Sequence, residues 1–113
     1  MKIKKFTGGL RWGDKFWEGF GNCEEYGDVT FPFASLLIEE DRCIITRNTF
    51  WIKYVSYNLK YCDIVNISIR KILWSKGVLF THTNKDIPKY LLFWTRKGDE
   101  ICDILSQYGV KVI

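Results

Sequence analysis

The sequence predicts a mainly β domain closed by one C-terminal α-helix, folded as a bent antiparallel barrel of about seven strands. Three observations carry that prediction. Between residues 42 and 95, short segments alternate apolar and polar side chains and are separated by polar turns. A single amphipathic stretch follows, with Ile101, Ile104, Leu105 and Tyr108 at i, i+3, i+4 and i+7. The chain is also short and rich in core material, with 113 residues of which 47% are apolar and 17% aromatic, enough for one buried interior and too little for two.

Residues 1–33 differ from the rest. They hold six of the nine glycines together with Trp12, Phe16, Trp17 and Phe20. Trp12, Phe16 and Phe20 recur at helical spacing, which raises the alternative of a membrane-surface helix. Gly13 and Gly19 each disfavour that helix by about 1 kcal/mol relative to Ala, and Asp14, Lys15 and Glu18 give it no basic face. The expectation is therefore a single domain over 1–113. Its core spans 34–113, and 1–33 is an irregular or hairpin-like segment whose aromatics pack on the barrel.

Past Phe31-Pro32-Phe33 the elements follow in order. Residues 34–39 read as a strand, Glu40-Asp41 as a turn, and 42–47, rich in β-branched residues, as the next strand. Asn48-Thr49 turns the chain into a strand over 50–55, with 58–62 as a short continuation. Residues 65–74 alternate Val65, Ile67 and Ile69 against Asn66, Ser68 and Arg70, the pattern of a half-buried strand. Ser75-Lys76-Gly77 reverses the chain into 78–83, where Val78, Phe80 and His82 share a face; 84–89 is a loop. The strand at 90–95 is apolar on both faces, Leu91 and Phe93 against Tyr90, Leu92 and Trp94, so both faces need cover. The helix, expected over 99–108, covers one and stops at Gly109; a partner chain or the N-terminal segment is left to cover the other.

That order of elements resembles the pleckstrin-homology-like (PH-like) superfamily, above all its GRAM-like and bacterial members. The residues that carry the resemblance are Cys43-Ile44-Ile45-Thr46-Arg47-Asn48, Tyr61-Cys62-Asp63-Ile64-Val65-Asn66-Ile67, Gly77-Val78-Leu79-Phe80, and Leu91-Leu92-Phe93-Trp94 followed by 101–105. The resemblance implies a seven-stranded bent sheet capped by a C-terminal helix. It also implies a ligand mouth at the hairpin between the first two strands, basic in phosphoinositide-binding members. The hairpin matched to it here, Ile38-Glu39-Glu40-Asp41-Arg42, is acidic, which argues against a lipid phosphate at that place.

The net charge of +4 falls entirely after residue 33, with 12 Lys and Arg against 8 Asp and Glu. This is a mild bias and not the clustered stripe of a dedicated nucleic-acid binder. No run approaches the ~18–20 apolar residues of a membrane span, and the basic N-terminus lacks a signal-peptide core, so the cytoplasm is the expected compartment. Cys23, Cys43, Cys62 and Cys102 stand too far apart for metal-ligand spacing and read as reduced thiols; no metal or other cofactor is expected. His82, the single histidine, has no nucleophile with an orienting carboxylate beside it in sequence and reads as a hydrogen-bonded core residue. Asp63 reads as a turn residue and Glu39-Glu40-Asp41 as a solvated turn. The chain carries none of the phosphate-loop or nucleophile-elbow motifs, so a non-enzymatic module is expected.

Two contact surfaces follow. Trp12, Trp17, Trp51 and Trp94 are the candidates for contact with a protein partner or a second copy of the chain. The alternative is a polyanion site, for a lipid headgroup or single-stranded nucleic acid, on Arg70, Lys71, Lys76, Lys85 and Lys89. A solvated hairpin edge accounts for the same five residues.

Overall fold

A computed structural model describes residues 4–13, 26–49, 53–72 and 75–113. Seven strands and one helix are present: β1 Lys4–Gly13, β2 Tyr26–Ile38, β3 Arg42–Thr49, β4 Lys53–Lys60, β5 Ile64–Ile72, β6 Ser75–His82, β7 Tyr90–Thr95 and α1 Gly98–Gln107, with a 3-10 turn at Tyr61–Asp63. All strand pairs are antiparallel, and the strands form one curled sheet in the order β4-β3-β2-β1-β7-β6-β5. The expected fold class is therefore the observed one, down to the strand number and the terminal helix.

The N-terminal segment corrects the sequence reading. It is not an appendage on a finished barrel: β1 is the middle strand of the sheet and joins its two halves. The expected boundary at residues 33 and 34 falls inside β2. The alternation in β1 is real but half hidden, because its inner positions are Phe6, Gly8, Leu10 and Trp12. A Cβ at Gly8 would lie 2.3 Å from the Trp94 carbonyl oxygen and 3.1 Å from the Phe93 ring. Gly8 is thus a place where the neighbouring strand β7 needs the room.

Smaller corrections have similarly local causes. Residues 53–60 form one strand, with Tyr57 and Leu59 buried and Tyr54 exposed. In β5 a bulge between Ile64 and Asn66 turns Val65 outward, so the buried positions are Ile64 and Ile67. Ser75, Lys76 and Gly77 lie within β6 and pair with Ile72, Lys71 and Arg70. β2 has its own irregularity, four residues (30–33) opposing the single Gly9 between the Ala34 and Val29 pairs, and this stretch places Phe31 at the surface.

The inner face of the sheet and one face of α1 enclose the core. Phe80, Phe93, Leu10, Leu36, Ile45, Leu59, Ile67, Leu91, Ile101 and Leu105 are fully buried. α1 packs on β5 and β6, and Lys76 on β6 forms an ion pair with Asp99 in its first turn. Lys4 pairs with Glu100 and holds that carboxyl below its ordinary range. The helix ends as predicted: Gly109, at φ 91°, lets Val110 N–H bond the Leu105 carbonyl and Gly109 N–H bond that of Ser106. Tyr61 stacks on Tyr108 and donates to the Glu39 carbonyl, tying the β2–β3 turn to the end of the helix.

β7 is apolar on both faces, as the sequence requires. Leu91 and Phe93 enter the main core, while Tyr90 and Leu92 join Leu79 in a second buried cluster on the outer face. Leu92 is 3% exposed in the single chain, so its burial needs no partner chain. The β5 edge is also occupied: Ile67 N–H bonds the Lys111 carbonyl and Ile113 N–H bonds that of Ile67, across a parallel bridge to Val112. No helix among the described residues is long and apolar enough to cross a membrane.

Candidate functional site: a basic aromatic groove beside β1 and β7

β1 and β7 run side by side from Gly9 opposite Trp94 to Gly13 opposite Tyr90, and no further. Beyond Thr95 the chain turns away through Arg96 and Lys97 into α1, while β1 continues in the other direction along β2. A cavity of about 670 Å³ lies where they part. One wall is Lys5, Phe6 and Thr7 of β1; the other is Trp94, Thr95, Arg96 and Lys97; Phe31 adds to it from the β2 irregularity.

The chemistry of this lining is one-sided. Three cations, three aromatic residues and two threonines line the space, with no carboxylate among the described residues. Phe31 is 59% exposed, high for so large a ring. Lys5 and Arg96 are exposed and form no ion pair among the described residues. Trp94 is half-buried, and its indole lies across Gly9: a Cβ there would stand 2.2 Å from Cζ2 and 2.3 Å from Cε2 of the ring. The bare backbone thus seats one part of the ring, and the rest borders the groove. Thr95 Oγ1 donates to the Thr7 carbonyl at 3.3 Å, joining the two walls.

The sequence-derived candidates separate here. Trp94 lies in the groove. Trp12 lies elsewhere, half-buried on the inner face against the core. Its ring lies over Gly27, and the Arg47 guanidinium sits 3.9 Å from its centroid. Arg47 Nε donates to the Tyr57 hydroxyl at 2.9 Å, so one inward arginine joins β3, β4 and β1. Trp17 and Trp51 lie outside the described residues.

The five basic candidates are not brought together. Arg70 and Lys71 are exposed near the β5–β6 turn, and Lys76 is engaged by Asp99. Lys85 and Lys89 lie in the connection from β6 to β7, at the opposite end of β6, roughly 20 Å away at the rise of a β-strand. The groove residues Lys5, Thr7, Phe31, Arg96 and Lys97 went unmarked in the sequence. Their one local signal is Arg96-Lys97 directly after an aromatic strand; nothing local connects those two to Lys5, 91 positions earlier.

His82 has a structural task. Asn84 N–H donates to Nδ1 at 3.1 Å, which leaves the ring proton on Nε2 to donate to the Pro88 carbonyl at 2.9 Å. Both ring nitrogens thus hold the loop before β7. Asp63, at the end of the 3-10 turn, accepts Thr83 N–H through its main-chain carbonyl. Among the described residues no group of three or more His, Cys, Asp and Glu is placed to hold a metal. Cys43, Cys62 and Cys102 are free thiols, and burial raises Cys43 to about 12 and Cys102 to about 11.

The topology also shows that the turn matched in sequence to the hairpin between the first two strands is not that hairpin. The acidic turn from Glu39 to Arg42 joins β2 to β3, with Arg42 Nε bonded to Glu39 at 3.2 Å. The connection between the first two strands is residues 14–25, outside the described residues. By sequence it holds Lys15 against Asp14, Glu18, Glu24 and Glu25, so it too lacks a basic cluster.

No protein-family model matches the chain. A comparison with curated proteins gives no match either.

Proposed function

We propose that this chain is a non-enzymatic, PH-like binding module that works through protein contacts, with the groove between β1 and β7 as its contact surface and an acidic segment of a partner protein as its ligand. The observation that carries the reading is the composition of the groove: Lys5, Arg96 and Lys97 beside Phe31 and Trp94, with no carboxylate in the lining among the described residues. The exposed Phe31 and half-buried Trp94, flanked by cations of which Lys5 and Arg96 form no ion pair among the described residues, give both the apolar anchor and the charge selectivity of a protein interface. The strand order and terminal helix support the PH-like kinship. The free thiols agree with a reducing compartment, and the cytoplasm is the setting we propose.

Protein contact is preferred to polyanion binding on a specific ground. The five basic residues that would make a headgroup or single-strand site are divided between two ends of β6, and Lys76 is already paired. Self-association has also lost its main motive, since Tyr90 and Leu92 on the outer face of β7 are buried within one chain.

Fluorescence anisotropy with two labelled hexapeptides, Glu-Glu-Phe-Phe-Glu-Glu and Lys-Lys-Phe-Phe-Lys-Lys, tests the reading. The acidic peptide is expected to bind at least tenfold more tightly, and the Lys5→Glu/Arg96→Glu variant to abolish the difference. Equal binding of both peptides, or an acidic preference that survives in the variant, overturns the groove as the site. Light scattering that shows a stable dimer would replace it with self-association.

A further inference from the structure

Resting on the groove reading above, we infer that the acidic segment binds as an added β-strand along the open edge of β1 at Lys5 and Thr7. β2 pairs with β1 from Lys4 opposite Ile38 to Gly8 opposite Ala34, but β7 begins to pair only at Gly9. Over Lys4 to Thr7, β1 therefore has one side in the sheet and, among the described residues, no strand on the other. The Thr95 Oγ1 bond shows which way the backbone faces: the Thr7 carbonyl points away from β2, toward the β7 side. Main-chain groups alternate in direction along a strand, so the N–H and C=O of Lys5 face that side as well, and those of Lys4 and Phe6 face β2. No main-chain hydrogen bond outside the sheet ladders involves Lys5 or Thr7 among the described residues.

An open edge is by itself only a hazard that proteins blunt with charge. Here the cavity lies along that edge, so the Lys5 N–H and C=O and the Thr7 N–H meet space shaped for a short segment, while the Thr7 carbonyl already accepts Thr95 Oγ1. An extended chain laid there bonds Lys5 and Thr7 through its backbone, which gives affinity without regard to sequence. Its side chains then supply selectivity, carboxylates toward Lys5, Arg96 and Lys97 and an apolar ring toward Phe31 and Trp94. The Lys4–Glu100 ion pair bridges β1 to α1 beside the groove and limits the segment to a few residues. An acidic protein segment suits this edge better than nucleic acid, which has no backbone N–H to offer the Lys5 carbonyl.

The test uses Glu-Glu-Phe-Phe-Glu-Glu, in which either face of an extended chain carries one Phe between two Glu. Two further peptides carry backbone N-methyl groups at positions 1, 3 and 5, or at 2, 4 and 6. Strand addition predicts that one methylated phase loses at least tenfold in affinity while the other stays within about twofold, because only alternate N–H groups face β1. Amide exchange at Lys5 and Thr7 should slow on binding while that of Lys4 and Phe6 is unchanged. Binding of the parent peptide with equal affinity for both methylated forms overturns strand addition and leaves the groove reading intact. No binding of the parent peptide removes both. Tighter binding of a thymidine dodecamer than of the peptide, lost in Lys5→Glu/Arg96→Glu, assigns the groove to nucleic acid instead and also overturns the inference.

Discussion

Gly27→Ala is a small change with a calculable consequence. The added Cβ would stand 2.1 Å from Trp12 Cζ2, 2.6 Å from Cε2 and 2.7 Å from Cη2, whereas ordinary contact begins near 3.4 Å. All three contacts belong to one indole, so the ring must shift by about 1.3 Å or more. It has little freedom to do so, since it packs on the core and carries the Arg47 guanidinium at 3.9 Å. Overpacking of this kind costs about 1–3 kcal/mol. Loss of the cation–π contact adds about 0.5–1 kcal/mol for a partly exposed pair. Replacing Gly by Ala returns about 0.4–1 kcal/mol through the unfolded chain. The net expectation is a destabilisation of about 1–3 kcal/mol, or several degrees in Tm for a domain of this size. Equilibrium urea unfolding followed by far-UV circular dichroism measures it, with the slope compared between variants to confirm that only stability has changed. In a Trp12→Ala background the same Gly27→Ala change should be neutral or slightly stabilising, giving a coupling of about 2 kcal/mol. An equal cost in both backgrounds, or no cost in either, refutes the seat of Trp12 on Gly27.

Three more expectations concern other parts of the molecule. In a Cys23→Ser variant, Ellman's reagent should titrate Cys62 quickly in the folded protein and reach Cys43 and Cys102 only after denaturation, because burial both shields those thiols and raises them to about 12 and 11; equal rates at Cys43 and Cys62 would contradict the core. Stability should fall as pH rises above about 9: the folded state keeps the Cys43 proton up to about 12 and keeps that of Tyr61 well above its ordinary 10, while the unfolded chain releases both earlier. The Cys43 proton contributes a slope of up to about 1.4 kcal/mol per pH unit, and that of the half-exposed Tyr61 contributes less. Tyr61→Phe should flatten the curve above pH 10 and not below it; an unchanged slope counts against the buried hydroxyl. Gly109→Ala should cost about 1–2 kcal/mol from backbone strain alone, since φ is 91° and nothing lies near the added methyl. Gly109→Asn should cost less, and equal thermal melts for all three proteins would exclude a strained helix stop.

Most of the barrel was legible because its signals are local. The strand at Tyr90–Thr95 shows two apolar faces in six residues, and both proved buried except at the half-buried Trp94. Ile101, Leu105 and Gly109 marked the face and the end of α1, with Cys102 adding to the buried set. β1 was illegible for a reason equally physical. Its glycines at 8 and 9 carry no pattern of their own, and their meaning lies in Phe93 and Trp94, over eighty residues away. Val65 misled because a bulge changes parity without changing composition.

The sequence by itself determined a small β domain with one terminal helix, since alternation, turn residues and helical periodicity are each written within a few residues. It also supplied an excess of tryptophan without saying where it would lie. The tertiary structure decided that. Cross-strand glycines seat Trp12 inside and Trp94 at the surface, Arg47 covers the first, and the divergence of β1 from β7 exposes the second beside Lys5 and Arg96. Those neighbours meet only through strand register, a property of pairs of segments far apart in the chain, so no window of sequence contains them.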